Sequence, residues 1–298
     1  CPVQTEFSIE GPTAELTILA SKDDITCAVG NKDGRISASA EGGWPGGYEF
    51  KLVGPVNVAY SSDRIFPGLI PGSYTVFVRD SKGCEVSTPV VLEIPKPIDV
   101  VISATPLLAC YDDENGVVTI NTVTGGSGNY TYTLNGTLVD GTVISQQSQG
   151  ALQFTGLKAG TYSVTVNDSW TCKGVSNTVT IAEPTKVKAS LDTKTNETCK
   201  VLPVLTLSAT GGTAPYFYSE DGTNYISMTG SSIDITLPFI TTKTTYKYFV
   251  KDANGCTSSE SNYVEMPVIP ALTFDKLVDI DIMCSGSATG AITAIAKG

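Results

Sequence analysis

The chain has 298 residues, 41% of them hydrophobic, a mean hydropathy of +0.08, a net charge of −11 and no histidine. That balance suits packed domains rather than disorder, and no apolar run reaches the ~18 residues that a membrane-spanning helix needs. Nineteen basic residues against thirty acidic ones argue against nucleic acid and anionic lipid as partners. Without histidine a Ser-His or Cys-His nucleophile pair is impossible within these residues, and the expectation is a protein that is not an enzyme.

In chain order, residues 1–12 (CPVQTEFSIEGP) read as the last strand of a repeat whose body is not in the sequence. A first full repeat, 13–95, opens at Cys27 with CAVGNKDGRISASAEGG and alternates through Tyr48 and Phe50. It closes with FPGLIPGSYTVFVRDSKGC, Phe66 to Cys84. A second, 96–184, opens at Cys110 with CYDDENGVVTINTVTGG, alternates through Tyr130 and Tyr132, and closes with FTGLKAGTYSVTVNDSWTC, Phe154 to Cys172. In that last stretch Tyr162, Val164 and Val166 fall on one face, the period of a strand with one buried side. A third repeat, 185–267, opens at Cys199, alternates through Tyr216 and Tyr218, and closes with TTYKYFVKDANGC, Thr244 to Cys256. Residues 268–298 carry only a repeat's opening, from Cys284. The first cysteines step by 83, 89 and 85 residues. The expectation is a window on a longer array.

The second repeat predicts its strands most clearly: Ile98–Ala104, Val117–Val123, Tyr130–Leu134, one or two short strands within Asn135–Gly150, two strands flanking Gly156–Gly160, and Ser176–Ile181. Short strands, Gly-rich turns and no helical period predict an all-β fold of tandem immunoglobulin-like sandwiches. Prolines 12, 95, 97, 184, 267 and 270 end the repeats and stiffen short junctions, giving a semi-rigid rod. Tyr74, Tyr162 and Tyr246 correspond and are expected in core or corner positions. The third repeat departs most, because Thr241–Thr245 replaces the Gly-Leu-x-x-Gly step.

Eight cysteines at fixed phase predict disulfides and an oxidising compartment, and no C-x-x-C suggests a metal. Two connectivities are open. Pairing within repeats gives Cys27–Cys84, Cys110–Cys172 and Cys199–Cys256; pairing across junctions gives Cys1–Cys27, Cys84–Cys110, Cys172–Cys199 and Cys256–Cys284. The within-repeat set is favoured, although an immunoglobulin-like strand order sets its cysteines at opposite ends.

Other candidates are sparse. Asp23-Asp24 and Asp112-Asp113-Glu114 lie in predicted turns; solvated loops are the plain reading, and a calcium site at Asp112, Asp113 and Glu114 the sharper one. Trp44 and Trp170 lie in turns, where tryptophan packs on a neighbouring loop or contacts a ligand. Asn129, Asn135, Asn167 and Asn196 head N-x-Ser/Thr sequons, taken as chance.

The pattern Cys…Asn/Asp-Gly…Gly-Gly…Tyr-x-Tyr, then Gly-Leu-x-x-Gly-x-Tyr-x-Val-x-Val-x-Asp-x-x-x-Cys, resembles the SprB-type repeat of giant Bacteroidetes gliding-motility adhesins. Nearly the whole chain shares it, as two good copies, one eroded copy and two partial ends. The resemblance implies a cell-surface protein exported by type IX secretion and carried by the gliding machinery. Its partner would be the substratum or a surface polysaccharide, and it would need no cofactor. The alternatives are a spacer or carbohydrate-binding region of a secreted polysaccharide-degrading enzyme, and a passive surface scaffold.

Overall fold

A computed structural model describes residues 4–148, 150–271, 273–280 and 290–297. Cys1, Cys284 and the opening that follows Cys284 lie outside the described residues. The chain divides into two compact units, Cys1–Pro106 with Glu114–Ile181, and Leu107–Asp113 with Ala182–Gly298.

The first unit begins with β1 (Thr17–Asp23), β2 (Gly34–Glu41), β3 (Glu49–Val53), β4 (Val58–Ser61), β5 (Ile65–Leu69), β6 (Gly72–Arg79) and β7 (Glu85–Leu92). They form two antiparallel sheets, β1-β2-β5 and β4-β3-β6-β7. The same arrangement follows with β8 (Asp99–Ala104), β9 (Gly116–Thr124), β10 (Tyr130–Leu138), β11 (Val143–Ser148), β12 (Gln153–Leu157), β13 (Gly160–Asp168), β14 (Lys173–Val175) and β15 (Val179–Ile181). Here β8-β9-β12 faces a sheet ordered β11-β10-β13-β14, with β15 also on β13. This is the expected immunoglobulin-like sandwich, twice over.

The alternation explains the packing. In β6, Tyr74, Val76 and Val78 point inward and are buried, joining Ile36, Phe50, Leu52, Phe66 and Leu69. In β13, Tyr162, Val164 and Val166 do the same. Each such side chain contributes roughly 1.5–3 kcal/mol by leaving water. A buried phenol still needs a partner: Tyr74 donates to the Ile70 carbonyl at 2.8 Å and Tyr162 to the Lys158 carbonyl at 2.7 Å. Both acceptors lie in the Gly-Leu-x-x-Gly step.

The second unit contains β16 (Lys188–Thr195), β17 (Val204–Thr210), β18 (Phe217–Ser219), β19 (Ile226–Ser227), β20 (Ser232–Thr236), β21 (Thr244–Tyr246), β22 (Phe249–Lys251) and β23 (Val264–Met266). Its sheets are β16-β17-β20, β19-β18-β22 and β21-β23, around a core that includes Leu191, Leu205, Leu207, Tyr248 and Val250. A hairpin of β24 (Thr273–Ile280) and β25 (Ala291–Lys297) follows, paired antiparallel as β1 is with β2.

Two expectations shift here. Tyr246 is only half-buried and makes no corner hydrogen bond among the described residues. Tyr248, two residues on, takes the buried place of Val76 and Val164 and donates to Glu220 at 3.3 Å. The cause is local: the substituted Thr241–Thr245 stretch lacks the step that supplies the corner carbonyl. The final strand of the second repeat is also split rather than running from Ser176 to Ile181. At the break, Ser176 Oγ accepts the Val164 N–H (2.8 Å), and Asn177 bonds both the N–H and the carbonyl of Ile102 in β8 (2.9 and 3.1 Å).

Candidate functional site: the cysteine junctions

The turn that ends each repeat is built around one aspartate. Asp168 Oδ1 accepts the N–H groups of Trp170 (2.9 Å) and Cys172 (2.8 Å), while Oδ2 accepts that of Ser127 (2.7 Å) in the Gly-Gly turn opposite. Asp252 repeats this with Asn254, Cys256 and Thr213, and Asp80 with Lys82, Cys84 and Trp44, all at 2.8–3.0 Å. The Trp44 amide foremost, then those of Cys84 and Lys82, hold the Asp80 carboxyl below the usual carboxylate range. Each Gly-Gly turn is clamped from its other side by a tyrosine hydroxyl: Tyr48 to Gly42, Tyr130 to Gly125 and Tyr216 to Gly211, at 2.5–2.8 Å. The second glycine is obligatory. Its φ is positive at Gly43, Gly126 and Gly212, and a Cβ at Gly43 or Gly212 would lie 2.8 or 2.6 Å from the aspartate oxygen. Aspartate, tyrosine and glycine together fix where the turn's cysteine points.

The opening cysteines lie in the loop between the first two strands of each repeat. Cys27 enters a short 3₁₀ turn, Ala28–Gly30, with the Thr26 hydroxyl accepting the Ala28 N–H at 3.1 Å. Cys199 follows Thr198, whose hydroxyl accepts the Val201 N–H, also at 3.1 Å.

Among the described residues two disulfides form, Cys27–Cys172 in the first unit and Cys110–Cys256 in the second, with Cα–Cα distances of 4.9 and 5.6 Å. Neither pairing belongs to the expected sets. Each joins the opening cysteine of one repeat to the closing cysteine of the next, with sequence separations of 145 and 146. The within-repeat expectation fails on geometry. β2 leaves the loop of Cys27 and runs eight residues to the Gly-Gly turn, whose Trp44 is bonded to the Asp80 turn that holds Cys84. A strand of that length puts the two cysteines about 24 Å apart at opposite ends of the sandwich. A disulfide allows at most about 7 Å between Cα atoms. The across-junction set fails because Cys27, Cys110, Cys172 and Cys256 are already engaged. Cys84 and Cys199, expected to be bonded, are free and exposed.

Each junction has a polar contact between closing turn and opening loop, in opposite directions. The Cys27 N–H donates to the Trp170 carbonyl at 3.0 Å, and Asn254 Nδ2 donates to the Ala109 carbonyl at 3.1 Å. Trp170 is therefore part of the first junction. Trp44 stands instead on the Gly-Gly turn of the first repeat, in the place of Ser127 and Thr213, half-buried, with the Lys82 ammonium 5.9 Å from its ring centroid.

The acidic candidates are engaged locally. Asp113 accepts the Cys110 N–H at 3.0 Å, Asp112 donates its N–H to Glu183 at 2.6 Å, and Glu114 pairs with Lys158 at 3.2 Å. Asp23 lies 3.8 Å from Arg35 and Asp24 3.5 Å from Lys22, all largely exposed. Among the described residues no three His, Cys, Asp or Glu side chains gather as a metal site. No described helix is long and apolar enough to cross a membrane.

Sequence reasoning missed the asparagine bridges. Asn262 bonds the N–H and carbonyl of Leu191 (2.8 and 2.6 Å), as Asn177 does with Ile102. The signal was present: a Ser-Asn pair follows the closing cysteine in both repeats, at 176–177 and 261–262.

Residues 105–138 match the family model described as the SprB repeat, so the second repeat carries the resemblance read from its motifs. No curated protein matches the chain. Solved structures with some similarity include a tetra-tandem repeat in the extending region of a large adhesion protein. It is 14% identical, with 93% of this chain and 87% of that one covered, at a TM-score of 0.28. Fibronectin(III)-like modules of Clostridium thermocellum CbhA are 16% identical over 51% and 86%, at 0.24. Drosophila OTK extracellular domains 3–5 are 13% identical over 87% and 93%, at 0.25. Likeness that weak says nothing of function.

Proposed function

We propose that this chain is part of the shaft of a cell-surface adhesin that attaches gliding Bacteroidetes cells to their substratum. It is exported by type IX secretion and has no catalytic role. Its working units would be the repeats 13–95, 96–184 and 185–267. The observation that carries this reading is the SprB-repeat match at 105–138, in the repeat whose motifs recur along the chain. The use made of its polar groups supports it. The aspartates, tyrosines and asparagines that recur are spent on turns and strand edges, and the disulfides join one repeat to the next. Contact with the substratum or a surface polysaccharide would then come from many weak sites along a long molecule, through avidity.

The test is on cells. Deleting the gene should abolish attachment and spreading on glass and agar, with growth on polysaccharides unchanged. Normal movement with lost growth on one polysaccharide would overturn the reading in favour of an enzyme accessory region.

A further inference from the structure

Two exposed thiols remain among the described residues, and they are not equivalent. Cys84 sits on a closing turn, the type that supplies Cys172 and Cys256. Cys199 sits in an opening loop, the type that supplies Cys27 and Cys110. We propose that Cys84 and Cys199 are the two complementary halves of the junction seen twice in this chain. Each takes another repeat of the same kind, Cys84 through that repeat's opening cysteine and Cys199 through its closing cysteine. A second copy of this chain carries one of each and can therefore join head to tail.

Two observations beyond the thiols themselves carry this. First, the same repeat positions are already bonded twice, in one order only, the opening cysteine of one repeat to the closing cysteine of the following repeat. Second, the unpaired turn is already built as its bonded counterparts are. Asp80 Oδ1 accepts the Lys82 and Cys84 amides at 3.0 Å each, and the Asp80 N–H donates to the Cys84 carbonyl at 3.1 Å. The corresponding carbonyl bonds at Asp168 and Asp252 are 3.1 and 3.0 Å. Lys82 holds the place of Trp170 and Asn254, the residues that contact the opening loop at the closed junctions. Cys199 is also flanked by apolar surface fit for covering. It lines a cavity of about 250 Å³ with Phe239, Ile269 and Pro270, and Phe239 is 52% exposed. At the closed junction of the first unit, Cys172 is buried to 3% exposure.

The chemistry is ordinary thiol oxidation. One Cys199 thiol and one Cys84 thiol lose two protons and two electrons and form an S–S bond. The electrons pass to a disulfide oxidant, which is reduced to two thiols. The junction does not depend on the adhesin reading, and its test uses no cells.

The full chain would be prepared in a C1S/C284S background as two variants, C84S and C199S, and oxidised with glutathione disulfide. Cross-linked peptides are then read by mass spectrometry and dimers on non-reducing gels. Each variant alone should give no dimer, because two like halves do not dock. Their mixture should give a dimer through a single Cys199–Cys84 linkage, and unfolding in guanidinium should erase that selectivity. Homodimers from either variant alone at the yield of the mixture would overturn the proposal. So would a mixture that ends only as glutathione adducts, or a Cys199–Cys84 preference that persists unchanged in guanidinium.

Discussion

The second and third repeats solve one problem with different care. In the second, β13 is a single nine-residue strand pinned by the Tyr162 corner. In the third the same stretch is broken into β21 and β22, which pair in different sheets, and the corner bond is gone. Yet the clamp of Tyr216 on Gly211, the three amides on Asp252 and the bridge from Asn262 are all kept. The middle of the sandwich drifts; the end that presents the cysteine does not. What these repeats preserve is the junction.

The largest effect should come from the junctions themselves. Because the two disulfides interlock, the shortest covalent path from Cys27 to Cys256 runs through only about 60 residues of backbone. Single-molecule pulling should extend that span to about 200 Å when oxidised and to about 800 Å after reduction. On the loop-entropy model each bond also stabilises its unit by about 5 kcal/mol, so C27S should lower the first unit's melting temperature and leave the second unit's unchanged. The corner distinguishes the repeats more finely. Y162F should destabilise by about 1–2 kcal/mol in urea titration, since it leaves a part-buried carbonyl without its donor, whereas Y246F should be nearly neutral. N177A and N262A should destabilise about equally, by about 1–3 kcal/mol each, because both bridges are intact; a much smaller loss at N262A would show the third repeat's end to be as worn as its middle.

A smaller effect is one of reactivity. Local desolvation first, then the Asp80 charge, push the Cys84 thiol above the usual thiol range. Its alkylation midpoint should lie above that of a model thiol peptide, with the thiolate scarce at neutral pH and rising later on the alkaline side. Calcium should change least: with Asp113 and Glu114 engaged by Cys110 and Lys158, millimolar calcium or a chelator should leave the melting temperature where it was.

Much of this fold can be read from residues. Alternation located β6, β9, β10 and β13 within a few residues, and the recurring cysteines and Gly-Gly pairs marked the repeats. The disulfide partners could not be read. Their choice depends on which end of a sandwich each loop occupies and on what stacks against it, and linear spacing records neither. Tyr246 misled because it keeps the tyrosine's phase while the carbonyl it would need was lost some residues earlier. The asparagine bridges were missed because a Ser-Asn pair has no alternation of its own, and only its recurrence at 176–177 and 261–262 marks it.

The staggered pairing also has a topological consequence. Cys27, Cys110, Cys172 and Cys256 divide the backbone into three segments, and the two disulfides make each segment bridgeable by the others. A protease that nicks a linker between sandwiches severs nothing, and a second nick in another segment still leaves the two ends joined. Between Cys27 and Cys256, only when all three segments are cut do the two ends part. Cysteines paired within repeats would have let a single cut between Cys84 and Cys110 release everything beyond it, so the stagger protects the places most open to attack.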